Sequence, residues 1–407
     1  MDSYTLLIAV SSLVILSYIF NLASGRFKIP SVLLLIGTGI GLKFLTRSWN
    51  MDLGDLFPML EILGIVGLIV IVLEGALDLH LSRDKMQLIR NSFLTATLIL
   101  VATSVVIALI FQYFLNVSFL RALVYAIPLS VVSSAIVIPS VSSLSNEKRE
   151  FMIYEATFSD ILGIMLFNIL TNSEEAAALP PLSSLLSVVI TVILSVISTY
   201  LLIFFLNKIA TKVRIFLMLA ILILLYSAGK LLHLSSLLLI LIFGLALNNT
   251  GLFFRGRMAN FITIDRVKPI LQDFTFITAE TAFLVRTFFF VIFGYSFRIS
   301  LLSDPLVLTI GTAIVLFLYF VRFINLKLVL KTSIYPEILL APRGLITILL
   351  YYSIPEGYKI EGFSEGILFF IIITTSIIMM LGLITSPKKT AGYKGLEPGV
   401  NPSGNGV

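Results

Sequence analysis

The chain has 407 residues, 58% of them hydrophobic and 12% charged, with a mean hydropathy of +1.07; an average soluble domain is about 25% charged. This is the composition of a polytopic membrane protein, and the lack of a long polar stretch between apolar runs excludes an attached soluble catalytic or nucleotide-binding domain. The net charge of +6 is explained by the lysine and arginine bias of cytoplasmic loops rather than by nucleic acid, and the absence of cysteine removes disulfides, thiolate chemistry and Cys-based metal sites.

Spanning a bilayer as a helix takes about 20 apolar residues. Thirteen segments meet this: 4–23, 28–46, 56–79, 89–115, 119–144, 151–171, 182–206, 215–232, 234–253, 270–297, 304–330, 336–354 and 364–386. The first has no basic n-region and no small-residue cleavage site, so it reads as a retained helix. With the N-terminus outside, 19 lysines and arginines fall in inner loops and 6 in outer ones, which supports an odd number of spans with N out and C in. Asp52, Asp55, Glu174, Glu175 and Asp304 then crowd the outer side. Residues 1–386 form the transmembrane domain, and 387–407, rich in Gly and Pro, form a disordered cytoplasmic tail.

An odd count also accommodates two six-helix halves, segments 1–6 and 8–13, related by inverted topology. Transporters of this kind bind substrate near the midplane, where broken helices of the two halves meet. Segment five carries Pro128 and then Val131-Val-Ser-Ser-Ala-Ile-Val-Ile-Pro139; its counterpart, segment twelve, carries Pro336, Ala341-Pro-Arg-Gly-Leu345 and Pro355. Proline and glycine at matching positions free backbone groups at membrane depth. The expected fold is therefore all-α, with crossed, discontinuous helices five and twelve. Glycines Gly37, Gly39 and Gly41 on segment two suit close helix contact.

Segment six concentrates the chemistry in Glu155-Ala-Thr-Phe-Ser-Asp160. A charge at the bilayer centre costs roughly 2.5–3.5 kcal/mol even on insertion scales, so two carboxylates there require a purpose. At about 100° per residue, Asp160 shares a face with Ala156, Thr157 and Gly163, whereas Glu155 points about 140° away, towards the Ser159 face. Asp160 reads as the cation and proton site and Glu155 as half of a buried ion pair. Arg322 on segment eleven is the chosen partner of Glu155, since buried charges persist when paired. Arg343 sits at the break of segment twelve, where it offsets the carbonyl end of a half-helix. Glu74 on segment three is either a gate or peripheral pair or a group near the ion path. Glu280 and Arg286, near a segment end, and Glu61 read as snorkelling groups. The Ser133 and Ser134 oxygens are candidate ligands or simply interhelical packing groups.

Taken together, Lys28-Ile-Pro-Ser-Val, Leu73-Glu-Gly-Ala-Leu, the Ser-Ser-Ala break, the Glu155 to Asp160 motif, Phe288-Phe-Phe-Val-Ile-Phe-Gly294, Val321-Arg-Phe and Pro342-Arg-Gly-Leu resemble the monovalent cation:proton antiporter superfamily. The resemblance implies that Asp160 binds the ion and accepts the proton, that Glu155 pairs with Arg322, and that Glu74 is an accessory acid on the cation path. It also implies a homodimer built through scaffold helices, in the plasma or inner membrane. Ser159 stands where sodium/proton exchangers carry asparagine and joins the candidate set; Ser133-Ser134 stands where they often carry Thr-Asp and is closer to the potassium-efflux branch. The tandem Asp-Asp of electrogenic relatives is absent, which implies one-for-one exchange.

The expected mechanism needs no cofactor: Na⁺ (Li⁺ also) and H⁺ compete for Asp160, with Thr157, Ser133, Ser134, freed segment-five carbonyls and water completing an oxygen shell. K⁺/H⁺ exchange and sodium-coupled solute symport are the alternatives, with a channel a weaker one. An aspartyl protease would need two catalytic aspartates, and Asp160 is the single aspartate deep in a span.

Overall fold

The computed structural model describes residues 3–48, 57–81, 83–171, 182–208, 215–231, 234, 236–250, 264–330 and 334–386. All regular elements among them are helical: α1 (Ser3–Phe27), α2 (Ser31–Ser48), α3 (Phe57–Asp78), α4 (Met86–Leu115), α5 (Phe119–Ser130), α6 (Ser134–Ser140) and α7 (Asn146–Thr171). There follow α8 (Leu182–Lys208), α9 (Ile215–Leu231), α10 (Ser236–Asn248), α11 (Ile264–Ser296), α12 (Pro305–Leu330), α13 (Leu345–Tyr352) and α14 (Glu365–Thr385). Each of the thirteen expected segments has a helical counterpart, and seven stretches among the described residues are long and apolar enough to cross a bilayer unaided. The tail 387–407, the acids Asp52, Asp55, Glu174 and Glu175, and the side chain of Glu61 lie outside the described residues.

Segments five and twelve depart from a continuous span. Segment five is two helices, α5 and α6, joined by extended backbone at Val131 (φ −70°, ψ 129°) and Ser133 (φ −77°, ψ 112°). Pro128 inside α5 and Pro139 inside α6 each remove one backbone donor, which weakens the helix on both sides of the break. Segment twelve is helical for even less of its length: a 3₁₀ turn at Glu337–Leu339, irregular backbone through Gly344, then the eight residues of α13. Elsewhere local chemistry sets the ends. Asn116 closes α4 in the left-handed conformation (φ 53°), donating its N–H to Gln112 O at 3.1 Å. Ser364 opens α14 by accepting from the Gly366 N–H.

The helices form two packed groups. In one, α4 to α7 surround one another together with α12, α13 and α14; in the other, α1 to α3 pack with α8 to α11. The groups meet where α3 and α10 lie against α7, α3 against α13 and α1 against α6. Without water between lipid-facing helices, their association rests on close packing and satisfied backbone groups rather than on a hydrophobic driving force. The closest approach is α2 against α11. A Cβ on Gly39 would fall 2.8 Å from Tyr295 N, and one on Gly294 3.0 Å from Ile36 C. Gly37 and Gly41, grouped with Gly39 on sequence grounds, meet nothing within 4 Å and do not contribute to this contact.

Candidate functional site

The break between α5 and α6 and the irregular backbone before α13 touch. Ser133 N donates to Pro342 O at 3.0 Å, and Ser133 Oγ would lie 2.7 Å from a Cβ on Gly344, so only glycine admits this approach. Arg343 binds the same junction from the other side. Its Nε donates to Leu129 O at 2.9 Å, Nη1 to Ala341 O at 2.6 Å and Nη2 to Ser130 O at 3.3 Å, while its backbone N–H donates to Thr375 Oγ1 at 3.0 Å. Carbonyls at the C-terminal end of α5 have lost their helical donors, and a fully buried guanidinium supplies them.

α7 runs past this junction and turns its two acids to different neighbours. Asp160, 8% exposed, accepts the Ser134 N–H at Oδ2 (3.1 Å), and Ser159 Oγ accepts the Val132 N–H (2.9 Å). The extended segment thus hangs from α7 by two backbone donors. The remaining Asp160 oxygen, Oδ1, is buried without a hydrogen-bond partner, as are Thr157 Oγ1, Ser133 Oγ and Thr347 Oγ1. Thr157 and Asp160 line one small cavity of about 10 Å³ with Ile71, Val72, Gly75 and Ile346, which is about the space one water molecule needs. Among the described residues no lysine, arginine or histidine comes within ion-pair distance of Asp160.

Glu155, fully buried, meets Arg322 in a bidentate pair, Nη1 to Oε1 at 2.6 Å and Nη2 to Oε2 at 3.0 Å. The guanidinium also donates to Glu337 O from Nε (3.0 Å) and Nη2 (2.8 Å), and to Leu340 O (3.3 Å). One side chain on α12 therefore holds both α7 and the turn that leads to the second break.

Glu74 does not join Asp160. It pairs with Arg286 of α11, Nη1 to Oε2 at 2.5 Å and Nη2 to Oε1 at 3.1 Å, in a cleft of about 170 Å³. Asp78, Ser134 and Thr287 also line this cleft, which lies where α1, α3 and α6 finish and α2 begins. Arg286 is not the snorkelling residue expected from its position near a segment end, because the Glu74 carboxylate draws it inward. Glu280 instead accepts from Tyr18 Oη at 2.5 Å. Sequence reasoning overlooked the Glu74–Arg286 pair although the signal was present: two opposite unmatched charges on segments three and ten. Thr347, a lone hydroxyl in an apolar helix, and Thr375, inside the run Thr374-Thr375-Ser376, gave no comparable signal, since hydroxyls in membrane helices commonly serve packing alone.

Among the described residues, discontinuous helices meet beside a buried carboxylate in an all-helical bundle, an arrangement that suits a secondary transporter. Residues 10–388 match the family described as sodium/hydrogen exchanger, transmembrane, and the chain belongs to that family. No curated protein matches it. In fold it is similar to the sodium proton antiporter MjNhaP1 from Methanocaldococcus jannaschii at pH 8, at TM-score 0.66 and 20% identity over 94% of this chain and 99% of that one. A second structure of the same antiporter, from electron microscopy, matches at TM-score 0.65 and 18% identity, covering 94% of this chain and 95% of that one.

Proposed function

We propose that the protein exchanges Na⁺, and Li⁺ with it, for H⁺ one for one, with cation and proton competing for Asp160. The observation that carries this reading is that Asp160 and Thr157 line one water-sized cavity beside the helix break and that each keeps a buried oxygen, Oδ1 and Oγ1, without a hydrogen-bond partner. Oxygen donors suit a hard monovalent cation, and backbone carbonyls near the break together with water complete its shell. Ser159 acts mainly as a brace, since its Oγ is spent on the Val132 N–H, whereas Ser134 binds Asp160 through its N–H and keeps its hydroxyl as a candidate ligand. Ser133 Oγ remains a candidate ligand. Glu74, held by Arg286, acts as an accessory acid in the approach to the site rather than as a ligand.

Transport follows from the two packed groups. The group containing α4 to α7 and α12 to α14 carries Asp160 past the other group, exposing it to one side and then the other. Segments 1–6 and 8–13 are the inverted repeats of this scheme, and α5/α6 crosses the segment-twelve break. With N outside and C inside, in the plasma or inner membrane, the Glu74 cleft faces the cytoplasm, so the conformation is inward-open. A homodimer through the second group is part of the same reading.

The test is proton flux in proteoliposomes with an acid interior. Collapse of the gradient by Na⁺ and Li⁺, lost in Asp160→Asn without loss of protein, supports the proposal; exchange retained by Asp160→Asn overturns the site assignment. Collapse by K⁺ and Rb⁺ instead favours the potassium reading, for which the Ser133-Ser134 pair argues. Na⁺ uptake stimulated by an organic solute would indicate sodium-coupled symport.

A further inference from the structure

Gly75 of α3 is one residue from Glu74, yet it faces a different neighbour. It lines the 170 Å³ cleft that holds Glu74, Asp78 and Arg286, and it lines the 10 Å³ cavity that holds Thr157 and Asp160; among the described residues no other lines both. A Cβ built on Gly75 meets only Thr157 Cγ2, at 3.9 Å, so the missing side chain would project from α3 towards Thr157 of α7. Ser134 of α6, whose N–H binds Asp160, also lines the cleft.

The geometry points to Gly75 as the threshold of the cation path, the position at which an ion leaves the cleft and reaches the carboxylate. This rests on the reading of Asp160 as the cation site. It goes beyond that reading in assigning a passage role to a residue that touches neither the bound ion nor its ligands through any polar atom. An alanine fits at 3.9 Å from Thr157 in ordinary contact and is the better helix former, so a modest substitution tests the passage rather than the packing. Physical chemistry separates a passage from a ligand position. A side chain that narrows the route raises the barrier for entry and exit together, so both rate constants fall by the same factor and the equilibrium affinity is unchanged. A side chain that disturbs Thr157 or Asp160 changes the affinity itself.

The experiment compares wild type, Gly75→Ala, Gly75→Val and Asp160→Asn as full-length protein. Initial proton efflux driven by subsaturating Na⁺ is measured in acid-inside proteoliposomes. Equilibrium binding is read as Na⁺-induced proton release from purified protein in a weakly buffered detergent solution. Expected is a loss of flux that grows with side-chain size, severalfold for Gly75→Ala and tenfold or more for Gly75→Val. Half-saturation of proton release should stay within twofold of wild type, which also certifies folding. Wild-type flux in Gly75→Val, or a half-saturation that rises in step with the loss of flux, overturns the inference. If Gly75→Val does not fold, Gly75→Ala decides on the same criteria. Proton release that persists in Asp160→Asn overturns the underlying site reading, a failure that can be told apart from that of Gly75.

Discussion

Breaking the Glu155–Arg322 pair should destabilise the protein more than removing it altogether. Both side chains are buried, and the pair is bidentate at 2.6 and 3.0 Å. Glu155→Leu leaves a guanidinium in a low-dielectric interior with no counter-ion, a defect worth about 3–5 kcal/mol. Arg322→Met leaves a buried carboxylate and also removes the guanidinium donor from Leu340 O, adding about 1 kcal/mol for that unpaired acceptor, while Glu337 O keeps the Leu340 N–H at 3.2 Å. In the double variant the charge defect disappears, because replacing a buried pair by apolar groups is close to neutral. Leu340 O still lacks its donor, so a residual loss of about 1 kcal/mol is expected. Thermal unfolding of the four proteins in detergent, followed by the fraction that survives heating in solution, gives the order wild type, double variant, Glu155→Leu, Arg322→Met. A double variant less stable than either single one would refute the reasoning, since it would mean that the two groups contribute independently.

On the proposed reading, Glu74→Gln should free the Arg286 guanidinium from its partner, remove one negative charge from the approach and raise the apparent KM for Na⁺ severalfold while the maximal rate holds; KM measured by proton flux checks it, and the added change Arg286→Gln should restore most of the loss. On the same reading, in which one carboxylate holds either a proton or a cation, the apparent KM for Na⁺ should rise by up to about tenfold for each pH unit of acidification on the acid side and level off on the alkaline side, and a KM independent of pH would exclude competition at Asp160. Gly39→Leu should drive α2 from α11 and abolish folded protein on size-exclusion chromatography, whereas Gly37→Leu, with nothing within 4 Å of its Cβ, should be tolerated. Ser364→Ala should cost about 0.5–2 kcal/mol of thermal stability through the lost N-cap of α14 and leave exchange unchanged.

What the sequence made legible were features enforced by the bilayer. Apolar runs of spanning length located the long helices among the described residues, because backbone in lipid must bond within itself. Charges in the middle of those runs stood out because each needs a partner or a task, and Glu155, Asp160, Arg322 and Arg343 were found in this way. Distances across the fold were not legible. Periodicity gives the direction of a side chain on its own helix but not the helix it meets, so Glu74 was left between two roles and Arg286 was assigned to the interface. The extent of unwinding before α13 was hidden for a similar reason: Pro342 and Gly344 mark a break, but its length is set by Ser133 N reaching Pro342 O and by Arg343 reaching Leu129 O. Likewise three glycines on α2 look equivalent in sequence, and only the side facing Val291 and Tyr295 shows which one lies at the contact.

The distribution of charge also bears on coupling. Arg322 is matched by Glu155, and Arg286 by Glu74, while Arg343 is surrounded by the partial negative charges of three carbonyls. Asp160 alone among these groups has no cation beside it, and its hydrogen bond comes from a neutral amide. On the proposed reading, a proton or a cation on Asp160 leaves the moving group neutral there, whereas the bare carboxylate carries a full uncompensated charge through an apolar path. Charge burial is expensive enough to make that bare state rare in transit. Exchange rather than leak then follows from where the arginines are not. A lysine introduced beside Asp160 at a residue that supplies no ligand, for example Ile346→Lys on the wall of the same cavity, should supply the missing charge and let the unloaded site cross. The readout is a Na⁺ uniport current in planar bilayers, with proton counterflow no longer required. Strict one-for-one exchange retained by a folded Ile346→Lys variant would show that the coupling resides elsewhere.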